Sequence, residues 1–502
     1  MIIPFKKDPI EFNQRTLFPT NIFDLLSSDH PCYVYEDIFE QLDTSSVEEK
    51  FSIKGQNAYH PRLITSILIF AYTQGVFSSR EIEKRCQEDL SFMFVSHSHC
   101  PNFRVLSDFR KDNHEFFKNC FKQSVLLAKE AGMVSLGHVS LDGSKFKANT
   151  SKHKAMSYGR LKSKEKELTQ EIEALIFKAD KCDKEEDEDY KDNTGYEIPE
   201  ELTIKEKRLA TIKEAKKALE KREKDLNPEK TIGNKKQISF ADKEARIMGK
   251  NGNFDYSYNG QISVDEDNQI IVGQHVTHNA NDKKEVKKAL KEMKEITDDL
   301  PDKMSLDNGY MSGNNLEAFN DTDIDVYIAT GKGEKRDQRP IDDSNRNINK
   351  ADFTYDEDRD CFICPQGHTL RLKRHSSDGK KVYQADKTTC DACPYKARCC
   401  SSKKGEPRTI NTDDKEPLRQ EMIQKMEQQS SKEIYRKRKK IVEPVFGQIK
   451  NSGFRGFSLR GEEKVTGEFS LVCAVHNFRK IVKAILRGRV CLESGQLAPM
   501  VA

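Results

Sequence analysis

Apolar residues recur at helical spacing through residues 14–130. A His60-Pro61 turn precedes one apolar run, and Gly75 separates this run from a second predicted helix. Ser78 and Glu81 have the spacing of a capping box at the start of the second helix. The pattern predicts an N-terminal helical domain with a helix-turn-helix-like module that binds DNA, although any small helical domain would give similar spacing.

From residue 138 onward, extended apolar segments alternate with helical ones. The segments that predict strands are 138–142, 256–264, 269–277, 303–307 and 324–329. A polar turn joins the second segment to the third, which predicts a hairpin, and residues 282–298 predict an amphipathic helix. This order predicts an α/β fold with a mixed sheet and flanking helices.

Two segments interrupt this pattern. The first is dominated by Lys and Glu, carries leucines and isoleucines at heptad spacing, and predicts a helical hairpin with an acidic break at 185–199. The second is rich in cysteine. The expected divisions are an N-terminal helical domain at 1–130, core segments at 131–154, 236–330 and 411–502, a charged helical hairpin at 155–235 and a Cys-rich insertion at 331–410.

The 502-residue chain is long enough for two to four domains, each with its own core. Charged residues make up 33% of it and the mean hydropathy is −0.79, which predicts a soluble protein. The longest apolar run is too short to span a bilayer and the N-terminus lacks the order of a secretory signal, so no membrane partner is expected. Thirteen cysteines, an odd number, favour a reduced, cytoplasmic compartment.

Positive charge is concentrated near the C-terminus. Residues 432–489 contain 15 Lys and Arg against 5 Asp and Glu, a local net charge of 15 − 5 = +10, whereas the whole chain carries +3. Such a concentration is typical of a surface that binds a polyanion. One acid, Glu443, interrupts the most basic stretch. The alternative is a solvated basic helix with a single surface glutamate.

Three acids stand out by their context: Asp142 and Asp307, which each follow a Ser-Leu pair at a predicted strand end, and Glu443. Two Mg²⁺ or Mn²⁺ ions about 3.5–4 Å apart can activate the attacking oxygen of a phosphodiester reaction and stabilise the leaving one. Three carboxylates supply the hard oxygen ligands that these ions require. A strand-end Asp-Gly can also merely form a turn. The residues expected to contact DNA phosphates are Tyr435, Arg438, Lys450 and Arg455.

Several short segments of the chain together form a recognisable set: Tyr59-His-Pro-Arg62, Ser78-Ser-Arg-Glu-Ile-Glu83, Asp108-Phe-Arg110, Asp142-Gly-Ser-Lys145, Tyr258-Asn-Gly-Gln261, Asp307-Asn-Gly-Tyr310 and the stretch from Glu443 to Phe457. In these segments the chain resembles bacterial insertion-sequence transposases of the DDE type with an InsH-like N-terminal domain and, more narrowly, insertion sequence family 1182. The resemblance implies an RNase H-like core, metal-bound Asp142, Asp307 and Glu443, and cut-and-join chemistry at transposon ends. It also implies a homodimer on DNA and a nucleoid-associated location.

The C-terminal signature departs from the wider group in one respect, because Glu443 comes one residue late relative to Tyr435 and Arg438. Pro444 predicts that a helix starts or kinks beside Glu443. A polar cluster follows a predicted strand and consists of His275, His278 and Asp282. These side chains could hold the metal-binding acids in place without contacting the metal themselves, or they could be ordinary polar loop residues.

Two Cys-x-x-Cys-Pro turns have the spacing of a zinc ribbon. The expected ligands of one structural Zn²⁺ are Cys361, Cys364, Cys390 and Cys393, but six cysteines compete for four positions because Cys399 and Cys400 follow closely. The alternative is a set of reduced cysteines in a loop-rich insertion.

These features favour a transposase that cleaves transposon ends and joins them to target DNA with Mg²⁺ or Mn²⁺. One alternative is a catalytically inactive or domesticated DNA-binding protein that keeps the helical module and the basic C-terminus. Another is an RNase H-like nuclease without strand transfer, which would use the same metals.

Overall fold

The computed structural model describes residues 21–51, 57–150, 155–189, 200–226, 228–229, 231–250, 253–331, 337, 339–376, 379–400, 402, 405–493 and 496–499. Residues 1–20 of the expected N-terminal domain and residues 190–199 of the expected acidic break lie outside these ranges. Within them, no helix is both long and apolar enough to cross a membrane.

Helices form most of the N-terminal and C-terminal parts of the chain. They are α1 (Pro31–Phe39), α2 (Ser45–Glu48), α3 (Pro61–Thr73), α4 (Ser79–Glu88), α5 (Leu90–Val95), α6 (Phe103–Asp112), α7 (His114–Glu130), α8 (Tyr158–Asp189), α9 (Glu200–Leu226), α10 (Val286–Thr297), α11 (Gly313–Glu317), α12 (Lys387–Asp391), α13 (Lys396–Cys399), α14 (Glu416–Glu427), α15 (Gln429–Ile441), α16 (Glu443–Asn451) and α17 (Glu462–Leu486).

Strands occupy the middle of the chain and a short C-terminal hairpin. They are β1 (His138–Lys147), β2 (Ala155–Ser157), β3 (Gln237–Ser239), β4 (Arg246–Lys250), β5 (Asn253–Asp265), β6 (Ile271–Thr277), β7 (Lys303–Leu306), β8 (Asp325–Ile328), β9 (Thr354–Asp356), β10 (Cys361–Ile363), β11 (Thr369–His375), β12 (Lys381–Gln384), β13 (Thr409–Thr412), β14 (Val490–Glu493) and β15 (Gln496–Pro499).

The central sheet is mixed, as the strand order in the sequence predicts. Its order is β4-β5-β1-β7-β8, and β6 also pairs with β5. Strand β5 runs antiparallel to β1, β4 and β6, whereas β1, β7 and β8 run parallel to one another. The predicted hairpin, the helix before β7 and the strand at 324–329 are confirmed as β5 with β6, α10 and β8.

The prediction that β1 ends at Asp142 is wrong. The strand continues to Lys147 because its pairing with β5 extends to the Lys147–Ser257 pair. Its parallel pairing with β7 does end near the predicted place, at the Leu141–Leu306 pair. Asp142 therefore lies in mid-strand, at the point where one of the two neighbours of β1 stops.

Helix α17 joins the sheet to the N-terminal helices in one hydrophobic core. It is buried along most of its length and packs against α3, α7 and β6. Asn477 on α17 accepts the backbone N–H of Ile271 and donates to its carbonyl oxygen, both at 2.9 Å, and it also donates to Ser124 on α7. The side chain thus satisfies backbone groups of β6 that would otherwise lack partners at the sheet edge.

Two further units have small cores of their own. Helices α8 and α9 pack on each other, with Leu161, Leu168 and Leu219 among the buried contacts. Strands β9 to β13 form a five-stranded antiparallel sheet around Phe362 and Tyr383.

The predicted capping box at Ser78 is wrong. Ser78 does occupy the N-cap position of α4, but its side chain makes no capping hydrogen bond. Glu81 instead accepts from Arg85 at 3.2 Å, an i to i+4 pair on the same helix.

Arg110 on α6 ties three parts of the N-terminal helical region together. The side chain is buried, and its guanidinium donates to the hydroxyl of Tyr72 on α3 at 2.7 Å, to the carbonyl oxygen of Phe77 at 2.9 Å and to the hydroxyl of Ser79 on α4 at 2.6 Å. A buried arginine with this many partners holds the turn between α3 and α4 against α6.

Replacing Arg110 by alanine should therefore lower the free energy of unfolding by roughly 2–4 kcal/mol, because it leaves buried acceptors without a donor. Denaturant unfolding followed by circular dichroism measures the loss. Arg104→Ala is the matched control, since Arg104 is exposed on the same helix and should change stability by less than about 0.5 kcal/mol. An Arg110→Ala protein as stable as the control would contradict this role.

Candidate active site

Asp142 and Asp307 are neighbours because of strand register. Leu141 on β1 pairs with Leu306 on the parallel strand β7, so the two aspartates are the next residues of adjacent strands. Adjacent strands lie about 4.8 Å apart, and in-register residues project to the same side of a sheet. The structure therefore brings together the two aspartates that the sequence singles out.

Burial and neighbouring charges shift the pKa of Asp142, some upward and some downward. Burial raises the pKa of its carboxyl group to about 6; the Arg438 guanidinium opposes this rise and the negative charge of Asp307 adds to it. The backbone N–H of Gly143 donates to Oδ1 at 2.8 Å. A buried acid beside a second acid is stable in its charged form only when a cation or donors face it.

Asp307 caps a short 3-10 turn that follows β7. Its Oδ1 accepts the backbone N–H of Gly309 at 2.8 Å, which fixes the carboxylate at the start of the turn. A Cβ atom at residue 309 would lie 2.9 Å from Asp307 Oδ1 and 3.3 Å from Asp282 Oδ2. Glycine at this position therefore allows two carboxylates to approach the same turn.

Glu443 approaches the aspartates through Arg438. Helix α15 ends at Ile441 and α16 begins at Glu443 with Pro444 in its first turn, which confirms the predicted helix start. Arg438 Nη2 lies 2.8 Å from Asp142 Oδ2, and Nη1 lies 3.3 Å from Glu443 Oε1. A single guanidinium therefore bridges the sheet acid and the helix acid, although the Glu443 side chain remains 49% exposed.

The position of Arg438 differs from the predicted phosphate contact. The residue is only 6% exposed, and its guanidinium faces Asp142 and Glu443. In this structure Arg438 neutralises acids and does not lie on the surface. Tyr435 lies one turn earlier on α15 and is half-buried. Burial raises the pKa of its phenol, the positive charge of Arg438 opposes this rise, and the negative charge of Asp307 adds to it.

The other two predicted phosphate contacts lie beside the C-terminal half of β1. Lys450 Nζ donates to the hydroxyl of Ser144 and lies 5.3 Å from the ring centroid of Phe146. Arg455 is exposed and lines an open groove of about 460 Å³. Other basic residues along this groove are Lys147 and Arg460. One of these cations, Lys147, lies on β1, the strand that also carries Asp142.

Of the three polar residues predicted to support the acids, His275 lies within β6, and His278 and Asp282 follow it; only Asp282 lies beside the acids. His275 pairs with Glu285 at 2.9 Å, and His278 pairs with Glu462 at 2.7 Å. Asp282 instead receives amide donors from Asn259 and Gln261. Burial raises the pKa of Asp282, and Asp307 is among the charges that raise it further. The roles of Asn259 and Gln261 were not predicted, although both lie in a segment that carries the family resemblance.

The structure divides the cysteines differently from the expected zinc ligand set. Cys364, Cys390 and Cys393 line one small cavity of about 30 Å³ together with Cys399 and Cys400. Cys361 does not line it. Cys361 lies within β10, where side chains alternate, next to the core residue Phe362, so the two side chains project to opposite faces. The first Cys-x-x-Cys segment is thus a strand followed by a turn.

Across the described ranges, no group of three or more His, Cys, Asp or Glu side chains is arranged to hold a metal ion. This holds both for the acids around Asp142 and for the cysteine cavity.

Two family models match the chain. One, described as Transposase DDE domain, matches residues 363–482, and the other, described as Transposase domain (DUF772), matches residues 20–112. The two matches indicate a DDE-type insertion-sequence transposase. Searches of curated proteins and of solved structures found no match.

Along the sequence, one transposase match lies before the strands of the central sheet and the other lies after them. The DDE match includes Glu443, Arg438 and Lys450, whereas Asp142 and Asp307 lie outside it. A DDE domain implies an RNase H-like core, with which the mixed central sheet agrees. It also implies that DNA is the partner. The matches do not distinguish among insertion-sequence families, so the assignment to family 1182 stays a prediction.

Proposed function

We propose that this transposase binds transposon end DNA, cleaves it and joins the freed 3′-hydroxyl ends to target DNA by two-metal-ion phosphoryl transfer. The in-register placement of Asp142 and Asp307, with Arg438 linking Asp142 to Glu443, is the observation that carries the proposal. Assembly as a homodimer on DNA and a cytoplasmic, nucleoid-associated location belong to the same proposal.

The donor set fits a hard divalent cation. All the acids at the site offer carboxylate oxygens, which Mg²⁺ and Mn²⁺ prefer. Asp142, Asp307 and Glu443 would hold the ions, and the bound ions would supply Lewis-acid activation of the attacking and leaving oxygens. Arg438 contributes one positive charge against these three acids, so additional positive charge would relieve their repulsion.

The residues of the chain itself would bind and orient the DNA. Arg455, Lys147 and Arg460 line an open basic groove that could follow a phosphate backbone. Lys450 would support the strand that carries Asp142 through its bond to Ser144. The helices α3 to α6 lie within the second transposase match and would contact the transposon ends.

Asp307→Asn should reduce cleavage of a transposon-end substrate by at least about a thousandfold, because it removes a charged metal ligand without changing side-chain size. DNA affinity measured by fluorescence anisotropy should stay close to that of the parent protein. Asp302→Asn is the matched control, since Asp302 is exposed just before β7. Near-normal cleavage by Asp307→Asn in Mg²⁺ would contradict the proposed mechanism.

Arg455→Ala should weaken binding to DNA and reduce the salt slope of the binding constant by about one phosphate contact. Arg487→Ala serves as the control, because Arg487 is exposed at the C-terminal end of α17 and does not line the groove. The DNA-binding constant of each variant, measured from low to moderate salt concentration, gives its salt slope. If both variants show the same slope as the parent, the groove is not a phosphate-binding surface.

We also propose one structural Zn²⁺ in the cysteine cavity, with Cys364, Cys390 and Cys393 as ligands and Cys399 or Cys400 in place of Cys361. The backbone N–H of His368 donates to Cys364 Sγ at 3.3 Å, a contact that orients this sulfur at the cavity. The surrounding sheet has only a small core, which a metal would stabilise. Binding requires the cysteine side chains to turn toward one another.

Metal analysis of the reduced, purified protein should find about one zinc per chain. Cys390→Ser and Cys393→Ser should lose it, whereas Cys361→Ser should keep it because Cys361 lies outside the cavity. Absence of zinc from the parent protein would remove the site altogether. Loss of zinc from Cys361→Ser would instead restore the ligand set expected from spacing.

A further inference from the structure

Asp282 lies in the loop between β6 and α10, where two side-chain amides of β5 hold it. Its Oδ1 accepts from Asn259 Nδ2 at 2.8 Å and from Gln261 Nε2 at 2.6 Å. The donors are two residues apart on one strand and therefore project to the same face of the sheet. Two directed donors on one oxygen fix both the position and the orientation of this carboxylate.

Gln261 connects Asp282 to the turn that begins at Asp307. While its Nε2 donates to Asp282, its Oε1 accepts the hydroxyl hydrogen of Tyr310, the last residue of that turn. Both Gln261 and Tyr310 are 0% exposed. In a buried chain of this kind, loss of one partner leaves the others unsatisfied, so its members act as a unit.

Asn315 makes a second connection between the same two segments. Its Nδ2 donates to the backbone carbonyl oxygens of Asp282 and Tyr310, each at 2.9 Å. Asn315 is 1% exposed. The Asp282 loop and the Asp307 turn are therefore joined through both a side chain and the backbone.

Glycine residues allow these segments to come close. A Cβ atom at Gly143, the residue after Asp142, would collide with Gln261 Nε2 and lie 2.9 Å from Asp282 Oδ1. Gly309, in the Asp307 turn, faces Asp282 Oδ2. A side chain at either glycine would therefore crowd the Asp282 carboxylate or the amide that holds it.

We propose that Asp282 is a positioning residue of the candidate active site, which holds the Asp307–Tyr310 turn through Gln261 and Asn315 so that Asp307 can share a divalent cation with Asp142. The inference rests on the proposed function, because it concerns the same pair of acids. In this network Asn259, Gln261 and Tyr310 share one role, which is to fix Asp282 against the Asp307 turn. A purely structural role would affect melting temperature but not cation affinity.

Mn²⁺ binding to the DNA-free protein, followed by electron paramagnetic resonance of the free ion, tests this role. Asp282→Ala should raise the Mn²⁺ dissociation constant about 10- to 100-fold, the usual effect of removing a residue that orients a ligand. Asp282→Asn keeps an acceptor oxygen for Asn259 and Gln261 and should recover most of the affinity. Asp267→Ala, in the exposed turn between β5 and β6, is the control and should bind as the parent does.

A double-mutant cycle tests the connection through Gln261. Gln261→Met should reproduce the loss seen for Asp282→Ala, and the double variant should lose no more than either single one, since both changes interrupt one network. Losses that multiply in the double variant would overturn the proposal. So would an Asp282→Asn protein as weak as Asp282→Ala, or a lower melting temperature with unchanged Mn²⁺ affinity.

Failure of this inference can be separated from failure of the proposed function by Asp142→Asn. If Asp142→Asn binds Mn²⁺ as tightly as the parent protein, the cation site itself is wrong, whatever the Asp282 variants show. If Asp142→Asn loses affinity while Asp282→Ala keeps it, only the positioning role of Asp282 is overturned.

Discussion

The parallel, in-register pairing of β1 with β7 is the constraint on which the rest of the candidate site depends. It places Asp142 of β1 beside Asp307, which directly follows β7, at the point where the pairing of the two strands ends. Two like charges in a partly buried place repel each other, and burial raises the pKa of Asp142 to about 6. Arg438 neutralises part of this charge, and the junction of α15 with α16 brings both Arg438 and Glu443 to the site.

Local patterns were sufficient for the elements that carry the acids. Matching Ser-Leu-Asp segments predict two similar strands, and the polar turn after β5 predicts its hairpin with β6, because these features depend on residues close together in the chain. Pro444 predicts the start of α16 for the same reason. The end of β1 was misplaced because it depends on β5, a partner more than a hundred residues away.

Features that depend on distant partners could not be read from the sequence. Arg438 belongs to a basic run, and nothing local distinguishes the one cation that turns inward to Asp142 from its exposed neighbours. Asp282 lies in a loop, and its orientation depends on two side-chain amides of β5. Cys361 has the spacing of a zinc ligand, yet strand alternation in β10 directs it away from the cavity.

Anomalous diffraction from crystals grown with Mn²⁺ tests the central claim most directly, because manganese reports its own position. The account predicts a manganese ion contacted by carboxylate oxygens of both Asp142 and Asp307 at about 2.1–2.3 Å, distances between those typical of Mg²⁺ and of Ca²⁺. Manganese bound elsewhere, with neither aspartate contacting the ion at a Mn²⁺ concentration that supports cleavage, would contradict it.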